Sequence, residues 1–375
     1  MKIVVNTRLL IKNKLDGIGW FTFETLRRIT KNHPEHEFYF LFDRKYSDEF
    51  IFSDNVRPVI LNPPARHPVL WFLWFEVSVK RFLRKINADL FLSPDGYLSL
   101  SSNIKQIAVI HDINFVHRPQ DLPFFARKYY NRFFPKFAEK AVKIATVSEY
   151  SKQDISEQYN IKKEKIKVVY NGCNEIYKPV DDAVRQKIKQ KYAEGKAYFI
   201  FIGTLHPRKN IAGLFKAFEK FKTETKSDFK LVIVGTKMFM TENIENAYSE
   251  SKYKNDIIFT GRLNPEELHK VLASAFAMTF VPFFEGFGIP ILEAFSCDVP
   301  VICSNLTSLP EVAGDAALFV NPFDIEDIKN AMLKITQDKE LRNSITEKGK
   351  IRKKMFSWDK TADKLWKIVE ENINR

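Results

Sequence analysis

Residues 277–296 read AMTFVPFFEGFGIPILEAFS, and three patterns follow one another along them. Ala277–Val281 is a short run in which nearly every residue is apolar, as in a parallel strand covered on both faces. Glu285-Gly286-Phe287-Gly288 then makes a loop, and Pro290 suits the first turn of a helix through Phe295. The two glycines let backbone N–H groups come close to a ligand, and the helix start adds the positive end of a dipole.

The same alternation extends in both directions. Strands are expected at Ile3–Asn6, Phe38–Phe42, Arg57–Leu61, Leu90–Leu92, Gln106–Ile110, Ile144–Val147 and Lys167–Val169. A second set is expected at Tyr198–Ile202, Lys230–Val234, Ile257–Phe259, Ala277–Val281, Val299–Ile302 and Ala317–Val320. Helical stretches fall between them, among them Gly19–Thr30, Ala126–Lys140, Ile211–Phe221, Pro265–Ala275 and Pro290–Phe295. Alternation of this kind gives an α/β chain with doubly wound parallel sheets. The pattern breaks around 174–196, where Asn171-Gly172, Pro179 and a polar helical stretch precede a fresh strand. A domain boundary near 175–195 leaves two open sheets, which are expected to face a central cleft bounded by their strands' carboxyl ends.

The bulk composition agrees. A chain of 375 residues exceeds one ordinary core, and 45% hydrophobic with 28% charged residues is a globular balance. The longest apolar run, Val69–Phe75, is far below the ~20 residues that span a bilayer. Cys173, Cys297 and Cys303 have no metal-ligand spacing and read as free thiols. The chain therefore reads as cytoplasmic. The net charge of +13 fits nucleic acid, an anionic membrane surface or a phosphate-bearing small molecule equally well, and also fits a solvated basic surface.

Motifs decide among these. Glu285 and Glu293 can accept hydrogen bonds from sugar hydroxyls and a ribose diol, and neither has a basic neighbour in sequence. Gly203–Asn210 (GTLHPRKN) opens the second half, where Arg208 offers a forked contact and Lys209 a point charge to a diphosphate. His111-Asp112 ends a strand of the first half, a place where a histidine is as often structural as functional. Asp16-Gly17-Ile18-Gly19 fails as a dinucleotide fingerprint, because the third glycine would fall at Thr22. It reads instead as a loose glycine loop able to close on diphosphate or acceptor.

The segment EGFGIPILEAFSCDVPVICSNLTSLPEVAGDAALFVNP closely resembles the nucleotide-sugar half of the retaining glycosyltransferases of family 4. Their signature is two glutamates separated by seven residues, here Glu285 and Glu293. The resemblance runs from Met1 to the FSW element at Phe356–Trp358, and the HD and GTLHPRKN elements resemble the family's mannosyltransferases of polysaccharide and O-antigen synthesis. It implies the GT-B fold: an acceptor domain over 1–178 with a final helix at about 359–375 packing back on it, and a nucleotide-sugar domain over 179–358. It further implies that Glu293 binds the ribose, Glu285 and His111 work at the donor sugar, and Arg208 and Lys209 hold the diphosphate. Gly17, Gly19, Gly286, Phe287 and Gly288 would line that diphosphate, with Asp112 orienting His111 or binding acceptor, and Ser148 beside it.

The reaction implied moves a sugar, mannose from GDP-mannose in the first instance and a UDP- or TDP-sugar as the alternative, to a hydroxyl of a glycan or lipid-linked acceptor. Retention by front-face attack lets the leaving phosphate take the acceptor proton, so no dedicated protein base is needed. No Asp-x-Asp motif follows an apolar strand, so no metal and no cofactor are expected. Nucleic acid gives the paired glutamates no role, since carboxylates repel phosphates. The stretch Pro68–Lys85 (PVLWFLWFEVSVKRFLRK) has two readings, a helix packed on the sheet and a membrane-surface helix, with packing favoured. The aromatic and basic run FFARKYYNRFFPKF has the same two readings.

Overall fold

The computed structural model describes residues 1–236 and 241–373. It separates into two units, Met1–Gly172 with Ser357–Arg375, and Cys173–Phe356. The first holds a seven-stranded sheet made of β1 (Lys2–Asn6), β2 (Glu37–Phe42), β3 (Val56–Ile60), β4 (Leu90–Ser93), β5 (Lys105–Val109), β6 (Lys143–Thr146) and β7 (Ile166–Val168). Their order is β3-β2-β1-β4-β5-β6-β7, and every pair is parallel. The second holds β8 (Tyr198–Ile202), β9 (Lys230–Val234), β10 (Ile257–Gly261), β11 (Ala277–Phe280), β12 (Val301–Ser304) and β13 (Ala317–Val320), ordered β10-β9-β8-β11-β12-β13 and again all parallel.

All the expected strands are present. Their near-continuous burial, complete along β8, β9 and β11, explains why they read as unbroken apolar runs. In each sheet the order reverses once, between β1 and β4 and between β8 and β11. At such a switch point the loops leaving two adjacent strands diverge to opposite faces and open a crevice at the carboxyl edge.

Aromatic packing closes the first unit. Trp74, Phe75, Tyr97, Phe134 and Phe137 are buried in one cluster, and burying each such ring contributes about 1.5–3 kcal/mol. The helix that carries Trp74 and Phe75 is a composite: Pro68–Leu73 is α-helical, Trp74–Val79 is a π segment, and Lys80–Lys85 resumes the α-helix. The π segment carries Trp74, Phe75 and Val79 inward, so the packing reading of Pro68–Lys85 holds for this middle turn.

The helix Trp358–Ile373 belongs to the first unit; residues 374 and 375 of the expected final helix lie outside the described residues. Trp366 stacks on His33 with centroids 3.8 Å apart, and the Thr361 hydroxyl donates to the Tyr170 carbonyl. A Cβ at Gly172 would lie 2.3 Å from the Trp358 nitrogen, so only glycine admits this contact. Residues 173–178, read from sequence as the end of the first domain, pack in the second unit instead. Cys173 lies 3.5 Å from the Ser296 hydroxyl, and His269 Nε2 donates to the Lys178 carbonyl at 2.7 Å.

Candidate active site

The second unit's site is assembled at its switch point. The loop leaving β8 carries Arg208 and Lys209 in a short 3-10 turn, Pro207–Lys209, and Asn210 pins it by donating to the Pro322 carbonyl at 2.7 Å. Gly203 and Gly235, at the ends of β8 and β9, let the two strand ends approach. A Cβ at Gly235 would meet the Gly203 carbonyl oxygen at 1.9 Å. The loop leaving β11 carries Glu285, and Gly288 (φ 99°) turns it into the helix Ile289–Ser296.

These two loops meet. Arg208 Nη1 donates to Glu285 Oε1 at 2.8 Å and to the Phe284 carbonyl at 3.0 Å, and Lys209 Nζ pairs with the same carboxylate oxygen. The sequence offered Glu285 no basic neighbour; the fold supplies two cations from 76 and 77 residues away. Burial pushes the Glu285 carboxyl up, but Arg208 and Lys209 together outweigh it and hold the group below its ordinary value. The trio carries a net charge of +1, and a diphosphate arriving there would compete with Glu285 for both cations. Thr307 and Ser308, given no role by sequence, fix the loop: the Thr307 hydroxyl accepts from the Glu285 amide at 3.3 Å, and Ser308 donates to its carbonyl at 2.9 Å.

Glu293 lies farther along the helix and is answered differently. Its carboxyl accepts a hydrogen bond from the Tyr177 hydroxyl, yet burial outweighs that bond and pushes it up to about 7. Nothing in the sequence singled out Tyr177, which reaches Glu293 because residues 173–178 pack against that helix. Gly286, Phe287 and Gly288 are all buried. The Phe287 ring packs edge-on against Phe356 at 5.7 Å.

In the first unit, His111 follows β5. Its Nε2 donates to the Pro94 carbonyl at 2.9 Å, and Phe21 stands edge-on to the ring at 4.9 Å. Burial lowers its pKa, so the ring is neutral near pH 7, and commitment of Nε2–H to Pro94 makes Nδ1 the acceptor. Pro94, not Asp112, orients the imidazole by hydrogen bonding. Asp112 Oδ1 instead accepts from the Asn114 backbone and side-chain amides at 2.9 and 2.6 Å. Ser148 is the N-cap of Glu149–Tyr159, accepting from the Ser151 amide at 3.0 Å, which is a local structural duty.

Gly17 and Gly19 correct an expectation. They form the first turn of the helix Gly17–Asn32, not a loose loop, and the Gly19 amide already donates to the Asp16 carboxylate at 2.8 Å. The N-cap aspartate extends the helix back over both glycines. Among the described residues, no group of three His, Cys, Asp or Glu side chains is placed to hold a metal ion.

Comparison with known proteins gives this arrangement its family. Residues 15–175 match the family described as Glycosyltransferase Family 4, and residues 182–352 match Glycosyl transferases group 1. The chain is a glycosyltransferase and belongs to family 4. It is 30% identical to the O-antigen chain mannosyltransferase B of Escherichia coli over 96% of this chain and 97% of that one. It is also 30% identical to the O-antigen chain mannosyltransferase RfbU of Salmonella typhimurium, over 72% of this chain and 71% of that one. Among solved structures, sucrose-phosphate synthase from Thermosynechococcus elongatus superposes with a TM-score of 0.79 at 16% identity, covering 99% of this chain and 98% of that one. With its two parallel α/β sheets, the chain has the GT-B fold.

Proposed function

We propose that this glycosyltransferase moves mannose from GDP-mannose to a hydroxyl of a glycan or lipid-linked acceptor, with retention at the anomeric carbon and without a metal, in cell-surface polysaccharide synthesis. The observation that carries the reading is the meeting of Arg208, Lys209 and Glu285 at one switch point, with Glu293 on the helix that Gly288 begins. The choice of mannose is supported by the mannosyltransferases among the relatives.

Each group has a task in this reading. Cleavage of the glycosyl–phosphate bond leaves negative charge on the diphosphate and oxocarbenium character on the sugar. Arg208, Lys209 and the positive end of the helix Ile289–Ser296 take the first charge. Glu285, released from the cations as the diphosphate binds them, stabilises the second. Glu293 accepts hydrogen bonds from the ribose diol. Neutral His111 accepts a hydrogen bond from a donor-sugar hydroxyl at Nδ1. The backbones of Gly286–Gly288 line the diphosphate. Asp112 remains a candidate acceptor ligand through its second oxygen. The enzyme works at the cytoplasmic face of a membrane, with no nucleic-acid partner.

A thermal-shift panel of GDP, UDP, TDP and ADP tests the donor. The expected result is stabilisation by GDP above the others, by RT ln(1 + [L]/Kd), or about 2.7 kcal/mol at a hundred times Kd. Stabilisation by UDP or TDP alone transfers the assignment to the alternative donors, and stabilisation by none of them overturns it.

A further inference from the structure

A second polar constellation stands at the switch point of the first sheet, where β1 and β4 lie side by side. Asn6, the last residue of β1, donates to Asp95 Oδ1 at 2.6 Å and to the Ser93 hydroxyl at 3.1 Å. Arg8, just beyond the strand, gives its Nε–H to Asp95 Oδ2 at 2.7 Å. The guanidinium carbon lies 4.3 Å from the Tyr97 ring centroid, which adds a cation–π contact. Arg8 and Asp95 are each only 8% exposed. Among the described residues, neither Nη atom of Arg8 finds an acceptor, and neither is sealed from the surface.

A guanidinium fixed along one edge, with its outer donors open, has already lost its rotamer freedom and is preorganised for a ligand. One loop ties it to the reaction. Asp95 fixes Arg8, and the preceding Pro94 carbonyl holds His111, the group proposed to meet the donor sugar. Charge then selects the ligand. Arg8 and Asp95 cancel, while Asp16 and Asp112 add negative charge around His111. A phosphate entering this crevice meets net repulsion. Sugar hydroxyls do not, because they accept from a guanidinium and donate to a carboxylate. The planar fork of Nη–H donors matches two oxygens on neighbouring ring carbons.

We propose that Arg8 determines acceptor specificity: its two Nη atoms donate to neighbouring hydroxyls of the acceptor's outermost sugar, with Asp95 and Tyr97 positioning the guanidinium. The crevice therefore reads an uncharged pyranose and not the phosphate of a lipid carrier. The inference deepens the reading of a glycan acceptor and rests on it.

Transfer kinetics of the full chain with methyl mannoside and its monodeoxy analogues test the proposal. In the wild type, deleting either of two adjacent hydroxyls lowers kcat/KM by about 10²-fold. Arg8→Lys keeps a cation beside Asp95 but loses the fork. It lowers kcat/KM for the intact sugar by about 10²-fold, and the same deletions then cost less than about threefold. Its GDP affinity and unfolding temperature stay near those of the wild type. Should Arg8→Lys not fold, Arg8→Met combined with Asp95→Asn removes both charges of the pair together and is read in the same way. Wild-type kcat/KM in the variant overturns the proposal. Deoxy penalties that are equal in both proteins also overturn it, since they mark an action through His111. Inorganic phosphate that competes with acceptor in the wild type but not in Arg8→Lys overturns it too, because the fork then reads an anion. A protein that binds GDP yet transfers to none of the glycosides overturns this inference and leaves the donor reading standing. Transfer from a UDP- or TDP-sugar alone overturns the donor reading, and the same comparison run with that donor still decides the role of Arg8.

Discussion

Lys209→Ala will lower turnover of the sugar nucleotide by about 10²–10³-fold, the usual cost of removing one preorganised donor from a developing anion. Arg208→Ala will act alike, and Arg208→Lys will not restore full activity, since the guanidinium also holds the Phe284 carbonyl at 3.0 Å while contacting Glu285. The double replacement has a second consequence. It strips a buried carboxylate of both cations, and breaking a buried pair costs about 3–5 kcal/mol. The double variant should therefore unfold at a markedly lower temperature, and adding Glu285→Gln should recover much of that loss without recovering activity. Steady-state kinetics with thermal unfolding checks both. Full activity in Lys209→Ala would remove this side chain from the mechanism.

Glu293→Ala should weaken nucleotide diphosphate binding by about 10²–10⁴-fold, because two hydrogen bonds from a ribose diol to a carboxylate are worth roughly 1.5–3 kcal/mol each. The pH dependence separates this role from a packing role. Burial raises the Glu293 carboxyl to about 7, and the bond from Tyr177 pulls it the other way. An acid with a raised pKa is ionised only above that value, so affinity is full well above pH 7 and falls as pH drops through 7. Other titratable groups around this helix are Cys173, Cys297 and, beyond them, Lys353; both thiols are pushed up by burial and stay neutral across that window. Tyr177→Phe removes the bond that favours the carboxylate, so the limb moves to higher pH while affinity at pH 9 matches wild type. Calorimetric titration with the nucleotide from pH 6 to 9 measures it. An unmoved limb in Tyr177→Phe would show that the hydroxyl does not govern Glu293.

The sequence carried the fold far because its strands are buried on both faces, which turns them into short, unbroken apolar runs that helices punctuate. It misled at Gly17-Ile18-Gly19, where two glycines suggested a loop and the Asp16 cap made a helix. It was silent on the π segment Trp74–Val79, since one additional residue in a turn leaves no mark in a mostly apolar stretch. The site divides in the same way. Chain-local features, namely the glycine turn into Ile289–Ser296 and the basic turn at Pro207–Lys209, were legible. The pairing of Arg208 and Lys209 with Glu285 was not, because it depends on β8 and β11 lying side by side, and strand order is a property of the assembled sheet. Pro94 holding His111 and Tyr177 holding Glu293 are likewise products of packing between segments that neither motif contains.

The central claim is tested most directly by incubating the protein with GDP-mannose and a mannose-bearing acceptor in the presence of a chelator, and reading free GDP together with the anomeric proton of the new linkage. The account predicts GDP release coupled to an α-linked product, at the rate seen without chelator. A β-linked product, activity that returns only with manganese or magnesium, or turnover confined to a UDP- or TDP-sugar would contradict it.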